Sequence, residues 1–349
     1  MTENQNQKNL PQNIKDLSLK EMQERLVSLG EPAYRGRQIF SWIYHQGVSD
    51  FSEMRNLPVG LKKKLGENFR LSSPLVVNLR KAKDGVEKYL FQLQDGYLVE
   101  SVLIPSGKRQ TLCVSSQVGC RYRCAFCASG KKGMRRNLTA GEIVDQVLYV
   151  RFTRKVAVTH LVFMGMGEPF DNFDSVVKAI KIINHPDGLN IGSRKITVST
   201  AGHIPGIDKF SQIGWQVELS VSLHAVDDKL RSSLMPINRL YPVKELLAAC
   251  RRYTESTGRI ITFEYVLLKT VNDSVEQAKA LAIAAKNVGA KINLISVSPV
   301  PNSQWQPPEK EKLACFLEEL KKQRANFTLR RSRGKDIQAA CGQLAGEYV

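Results

Sequence analysis

The pattern of apolar and polar positions changes rhythm twice along the chain. From residue 17 to 70 it is helical: Leu19, Met22, Leu26 and Leu29 keep one stripe, and Ser18 with Glu21 fits a capping box at its start. Ile39, Phe40, Trp42, Ile43 and Tyr44 add a dense apolar cluster, so residues 1–72 are expected to form a small helical domain. Residues 74 to 104 switch to short runs of Val, Leu, Tyr and Phe broken by Lys83-Asp84-Gly85 and Asp95-Gly96. Turn residues between such runs predict hairpins. A β extension over 73–105 is expected to bridge to the main domain.

From about residue 111, short β-branched runs alternate with helical stretches. The expected strands are Thr111 to Ser115, His160 to Met164, Lys195 to Ser199, Val217 to Leu223, Ile260 to Leu267 and Lys291 to Val297, with a late one at Phe327 to Arg330. Thr139 with Glu142 and Ser274 with Gln277 open two of the intervening helices, and Gly289 stops the second. Six such units predict an α/β domain over 106–349, its parallel sheet closed or nearly closed into a barrel with function at the C-terminal strand ends. No stretch approaches the roughly 18 apolar residues of a membrane helix, and Met1 to Asp16 is polar, so a cytosolic chain without a membrane partner is expected.

Charge narrows the partners. The 349 residues carry 51 Lys and Arg against 33 Asp and Glu, a net charge of +18. Residues 121–136 hold Arg121, Arg123, Lys131, Lys132, Arg135 and Arg136 without an acid, and residues 321–335 hold Lys321, Lys322, Arg324, Arg330, Arg331, Arg333 and Lys335, again without one. These 13 cations sit beside cysteines, which favours a phosphate-backbone footprint at the rim of a site over a merely solvated face.

The seven cysteines are unevenly spaced, at 113, 120, 124, 127, 250, 315 and 341, which favours metal ligation or catalysis over structural disulfides in a reducing compartment. Cys120, Cys124 and Cys127 make C-x3-C-x2-C after the first barrel strand. Three thiolates can hold three corners of a cubane cluster and leave the fourth iron open to a ligand. A zinc site is the alternative, but zinc usually takes paired C-x2-C units or a His pair, and no second pair follows. One strand later stands the glycine-rich Gly165-Met166-Gly167-Glu168-Pro169.

Cys120, Cys124, Phe126 and Cys127 resemble the cluster loop of the radical S-adenosylmethionine (SAM) superfamily, and Gly165 to Pro169 resembles its Gly-Gly-Glu-Pro motif. That resemblance implies a partial (β/α)6 barrel, one [4Fe-4S] cluster on Cys120, Cys124 and Cys127, and SAM chelated to the open iron and cleaved to a 5′-deoxyadenosyl radical. Gly167 and Glu168 would hold the methionine ammonium. Longer stretches are similar to one family within it, the dual-specificity 23S rRNA/tRNA adenine-C2 methyltransferases: Tyr34 to Phe40, Cys113 to Cys120, Ser222-Leu223-His224-Ala225, Met235-Pro236-Ile237-Asn238 and Ala340 to Gly346.

Adenine C2 is an electron-poor amidine carbon, which cannot take a methyl group by simple nucleophilic displacement and calls for a radical. On their own Cys113 and Cys341 read as buried structural cysteines. The resemblance implies instead that one SAM methylates Cys341, a second SAM supplies the radical that activates that methyl, and Cys113 then forms a disulfide with Cys341 to free the RNA. Glu100 matches the acceptor of the C2 proton, the alternative being a solvent-facing strand glutamate. Ser199, Ser222, Leu223, His224 and Ser298 match SAM contacts, although Ser298-Pro299-Val300-Pro301-Asn302 stands where the family commonly has Asn-Pro-Phe-Pro-Gly. Arg330, Arg331, Arg333 and Lys335 are expected to favour the Cys341 thiolate. Cys250 and Cys315 match no site and are expected in the core.

The implied partners are 23S rRNA, tRNA and an electron donor such as flavodoxin or ferredoxin, with the chain acting as a monomer. Three other readings stay open: the sister enzyme that methylates C8 of the same rRNA adenosine, a radical SAM activase of protein, and a non-catalytic zinc RNA-binding protein.

Overall fold

The computed structural model describes residues 11–131, 133–298 and 303–344. Lys132 of the first basic run, Pro299 to Asn302, and Ala345 and Gly346 of the tail motif lie outside the described residues.

The helical stripe forms α1 (Leu19–Ser28), α2 (Tyr34–Ser41) and α3 (Val59–Asn68). The capping box is present, with the Ser18 amide donating to Glu21 Oε2 at 2.8 Å and the Glu21 amide donating to Ser18 Oγ at 3.4 Å. These helices share one apolar core with the rest of the chain, running from Ile14 to Leu344. They are also pinned to α4 (Ala140–Leu148) by charge. Lys15, 1% exposed, directs its ammonium onto Asp145 and onto Ser73 Oγ at 2.9 Å, while Asp16 Oδ1 accepts from the Gly141 amide at 2.9 Å.

A ten-stranded sheet fills the remainder. β1 (Leu75–Lys81), β2 (Glu87–Gln92), β3 (Leu98–Ser106) and β4 (Arg109–Cys113) form an antiparallel meander. A separate ribbon, β5 (Gln117–Gly119) with β6 (Met134–Asn137), brackets the cysteine loop. β7 (His160–Phe163), β8 (Ile196–Thr200), β9 (Glu218–Ser222), β10 (Thr262–Leu267), β11 (Lys291–Ser296) and β12 (Phe327–Arg330) then pair in parallel, each with the one before it, and β7 pairs in parallel with β4. The crossovers carry α4, α5 (Phe173–Asn184), α6 (Ile204–Ser211), α7 (Asp228–Leu234), α8 (Val243–Thr257), α9 (Val275–Val288) and α10 (Lys310–Lys322). α9 ends on Gly289, whose φ of 72° is the left-handed geometry that a helix C-terminus favours.

The strand boundaries differ from the sequence pattern by one or two residues because pairing partners set them. β4 begins at Arg109 since its ladder with β3 reaches Ser106, and Lys195 falls in a short turn before β8. The sheet stays open between β12 and β1, and the chain after β12 crosses that opening. The Gly334 amide donates to Asp84 Oδ2 at 3.0 Å, the Arg333 guanidinium donates to the carbonyls of Pro105 and Asp84, and the Lys83 amide donates to Asp336 Oδ2 at 3.1 Å. Among the described residues no helix is long and apolar enough to cross a membrane.

Removing one partner of a buried ion pair leaves the other charge uncompensated, at about 3–5 kcal/mol. Asp145→Ala is therefore expected to lower the unfolding free energy by about that amount, read by urea denaturation, and an unchanged midpoint would show that Lys15 finds water instead.

Candidate active site

At the C-terminal ends of the parallel strands lies a cavity of about 160 Å³, lined by the three loop cysteines, the Gly165 to Glu168 turn, and residues from the ends of β8 to β11. Of the residues expected from sequence, Cys120, Cys124, Cys127, Gly167, Glu168, Ser199, Ser222, His224, Ser298 and Cys341 line it. Cys113, Glu100 and Leu223 do not.

The cysteine loop is closed on itself by one hydrogen bond and held from outside by three. The Cys127 amide donates to the Cys124 carbonyl at 3.0 Å, the Ala125 amide to Leu234 at the end of α7 at 2.9 Å, and the Ala128 amide to Gly342 in the tail at 2.7 Å. The Trp305 indole donates to the Ala125 carbonyl at 2.9 Å. Burial pushes the Cys120 thiol up to about 12 and the Cys124 thiol well above its ordinary range, with the neighbouring cysteines adding to both. Three thiols facing one cavity need a strong Lewis acid to become thiolates, which is the requirement an iron–sulfur cluster meets.

Glu168 is 3% exposed. Its Oε1 accepts from the Phe170 amide at 3.1 Å and its Oε2 from the Ala201 amide at 2.7 Å, which ties the turn after β7 to the end of β8. Burial outweighs these two donors and pushes the carboxyl up to about 7. The Glu168 amide in turn donates to Gln117 Oε1 at 2.8 Å. Gly167 makes that approach feasible: its φ is 102°, and a Cβ there would stand 2.6 Å from Gln117 Cβ.

His224 has a left-handed φ of 57° and packs edge-on against Phe126, ring centroids 4.8 Å apart. Its Nδ1 accepts from the Val266 amide at 2.9 Å, and burial drops its pKa to about 3. The imidazole is thus neutral and carries its proton on Nε2. Ser298 Oγ is buried at the cavity wall with no hydrogen-bond partner among the described residues, an orphaned polar atom of the kind a bound ligand satisfies. Leu223 is fully buried, and its amide and carbonyl are spent on Glu264 and on Ala225 and Arg231.

Cys341 opens on the cavity, whereas Cys113, the last residue of β4, is buried behind it. Burial pushes the Cys113 thiol up to about 12, with the nearby Cys341 adding to the rise, and burial raises Cys341 as well. Of the basic residues flanking Cys341, Arg330 alone offsets this, and burial outweighs it. The expectation of a thiolate favoured by all four flanking cations is corrected accordingly: Arg333 is committed to Asp84 and Pro105 instead. Glu100 is not a solvent-facing glutamate. It is 1% exposed, with Oε1 at 2.9 Å from the Lys88 ammonium, which also donates to the Gln338 carbonyl at 3.2 Å. Cys250 is in the core as expected, but Cys315 is exposed on α10.

Sequence reasoning missed Gln117, Lys88, Glu264 and Arg231. Glu264, on β10, lines the cavity and is held by Asn293 Nδ2 at 2.7 Å. Strand alternation distinguishes neither it nor Lys88 from a surface residue; both are known only from what packs over them.

A barrel whose strand ends carry three clustered cysteines and a Gly-x-Gly-Glu turn defines a radical SAM enzyme, and the radical SAM superfamily model matches residues 114–282. The model of the ribosomal RNA large subunit methyltransferase N-terminal domain matches residues 12–71. The chain is 46% identical to the probable dual-specificity RNA methyltransferase RlmN of Heliobacterium modesticaldum, over 99% of this chain and 92% of that one. It is 44% identical to the dual-specificity RNA methyltransferase RlmN of Syntrophobacter fumaroxidans, over 96% and 98%. The crystal structure of a radical SAM methyltransferase from Sphaerobacter thermophilus superposes with a TM-score of 0.91 at 45% identity, covering 97% of this chain and all of that one. The chain belongs to the RlmN family of radical SAM RNA methyltransferases, and its cofactors are a [4Fe-4S] cluster and SAM.

Gly167→Ala forces both a strained φ and a collision with Gln117, and is expected to cost about 1–3 kcal/mol. Thermal unfolding of the cofactor-free protein measures it; a wild-type melting temperature would mean the turn can relax.

Proposed function

We propose that the chain methylates C2 of an adenosine in the peptidyl-transferase region of 23S rRNA and of the adenosine 3′ of the anticodon in tRNAs, with Cys341 as methyl carrier and Cys113 as resolving cysteine. One observation carries this: Cys341 opens on the cavity that the three cluster-type cysteines line, and Cys113 lies behind it within electrostatic reach. When bound, the cluster and SAM supply one-electron cleavage of a sulfonium and hence a carbon radical.

The chain's residues do the rest. Cys120, Cys124 and Cys127 hold the cluster. Gly167, Glu168, Ser199, Ser222, His224 and Ser298 cradle SAM, and Leu223 contributes by packing the strand end beneath it. Cys341 would carry a methyl group from SAM, and once the radical chemistry of the bound cofactors had removed a hydrogen atom from it, the methylene carbon would bond adenine C2, the adduct losing the C2 proton to protein and one electron to a bound cluster. Glu100 accepts the C2 proton, with Lys88 orienting its carboxylate and steadying the tail three residues before Cys341. Cys113 attacks the Cys341 sulfur, which forms the disulfide and releases methylated RNA.

Residues 1–72 act as an RNA-binding unit, where Arg35 stacks on the exposed Tyr34 ring at 5.0 Å, residues 73–105 as the β extension, and residues 106–349 as the catalytic core. A one-electron protein such as flavodoxin or ferredoxin reduces the cluster, and the monomer works in the cytoplasm, where its RNA substrates are.

Cys113→Ala is expected to accumulate a covalent protein–RNA adduct and Cys341→Ala to form none, as seen on denaturing gels. Digested RNA from wild-type reactions should contain 2-methyladenosine; 8-methyladenosine in its place would overturn the regiochemistry.

The ammonium of SAM needs the Glu168 carboxylate, and Glu168 in the cofactor-free chain is protonated below about pH 7. Binding then expels a proton, so SAM affinity of the cluster-loaded enzyme should fall about tenfold per unit as pH drops below that value. Calorimetry on Glu168→Gln should show weak, pH-independent binding, whereas a flat profile in the wild type would remove Glu168 from the ammonium site.

A further inference from the structure

Arg231 on α7 is fully buried, the largest side chain among the described residues to be so. Its guanidinium donates to the Leu223 carbonyl at 3.1 Å, the Ser222 carbonyl at 3.0 Å, the Ala201 carbonyl at 2.8 Å and Asn238 Oδ1 at 2.8 Å. Every one of these acceptors is neutral. Its neighbour Asp228 spends Oδ1 on the Val243 amide and Asn238 Nδ2, both at 2.8–2.9 Å. A buried cation with hydrogen bonds but no paired anion is costly, and burial pulls Arg231 down to about 10.

Ala201 and Ser222, whose carbonyls it holds, line the same cavity as Cys124, and a thiolate at Cys124 attracts it. The connection is short in the chain as well: α7 ends at Leu234, whose carbonyl holds the amide of Ala125, the residue after Cys124.

On the ligand assignment above, we propose that Arg231 is the buried counter-charge of the iron–sulfur cluster, a positioning residue that sets its reduction potential while fastening the SAM-binding ends of β8 and β9. Three thiolates around a doubly positive core leave one net negative charge, and taking up one electron adds a second. A fixed cation in a low-dielectric wall stabilises the reduced form more than the oxidised one, because attraction scales with the charge it faces. Removing it makes reduction harder. Arginine suits the place because it stays charged where lysine would shed its proton.

The test is a redox titration of the cluster in the reconstituted enzyme, followed by electron paramagnetic resonance. Iron and sulfide are first quantified in the wild type; absence of a cluster there would sink the ligand assignment rather than the role of Arg231. Arg231→Gln should then hold its cluster at a more negative potential, a shift that the loss of its hydrogen bonds to the strand ends does not by itself produce. Cys250→Asp offers a second route, because Cys250 on α8 is within electrostatic reach of Arg231 and a carboxylate there supplies a rival anion without touching its hydrogen bonds. It should move the potential the same way, and it decides the matter if Arg231→Gln does not fold. Cluster potentials equal to the wild type in the variants that fold would reduce Arg231 to a fastener of strand ends and overturn the proposal.

Discussion

The chemistry of the cavity depends on where the segment after the last strand is clamped. β12 is the sheet's edge, far in the ladder from β4, yet Cys341 must come close to Cys113 at the end of β4. The Asp84 carboxylate solves this by capping the Gly334 amide while its carbonyl takes Arg333, so a hairpin turn on the opposite edge becomes the tail's anchor. The second anchor is the cysteine loop itself, through Ala128 to Gly342 and Ser129 Oγ to the Leu344 carbonyl at 3.0 Å. Gly342, with φ 82° and room for a Cβ only 3.0 Å from the Phe126 carbonyl, lets the tail approach that closely. An open sheet thus gains a closed mouth without an additional strand.

Around that mouth the protein has withheld charge compensation. Among the described residues Glu168 is buried with no paired cation and Arg231 with no paired anion, and the cysteine thiols are pushed toward neutrality. Each arrangement costs stability in the empty chain, and each is relieved by a group of opposite sign arriving from outside. His224 differs: it is held neutral in one tautomer with its backbone strained, a fixed donor that does not respond to pH.

Much of this was legible in the chain. The parallel strands fell within a residue or two of their expected positions because β-branched runs between helical stripes leave little choice, and the capping boxes at Ser18, Thr139 and Ser274 all formed. Cys120, Cys124, Cys127 and Glu168 stand out because their spacing is rare and local, whereas Cys341 reads as structural on its own and was singled out only by resemblance; the structure brings all five to one cavity. What escaped was nonlocal. That Lys88 pairs with Glu100 and Gln338, that Arg231 is buried, and that Arg333 serves Asp84 all depend on contacts across long stretches of chain, where a lysine or arginine looks like any surface cation. A closed or nearly closed sheet was expected, but which two strands flank the opening escaped for the same reason, since periodicity counts strands but does not say which edges meet.

The tail's double anchorage orders the assembly of the protein in time. Residues 331–344 leave the ribosome after the cysteine loop, the Glu168 turn and α7, which precede them in the chain. During that interval the loop lacks its Ala128 and Ser129 partners, and the face that Gly342 later covers is accessible. The arrival of the tail then covers the cysteine loop and brings Cys341 to the wall of the cavity that the loop lines.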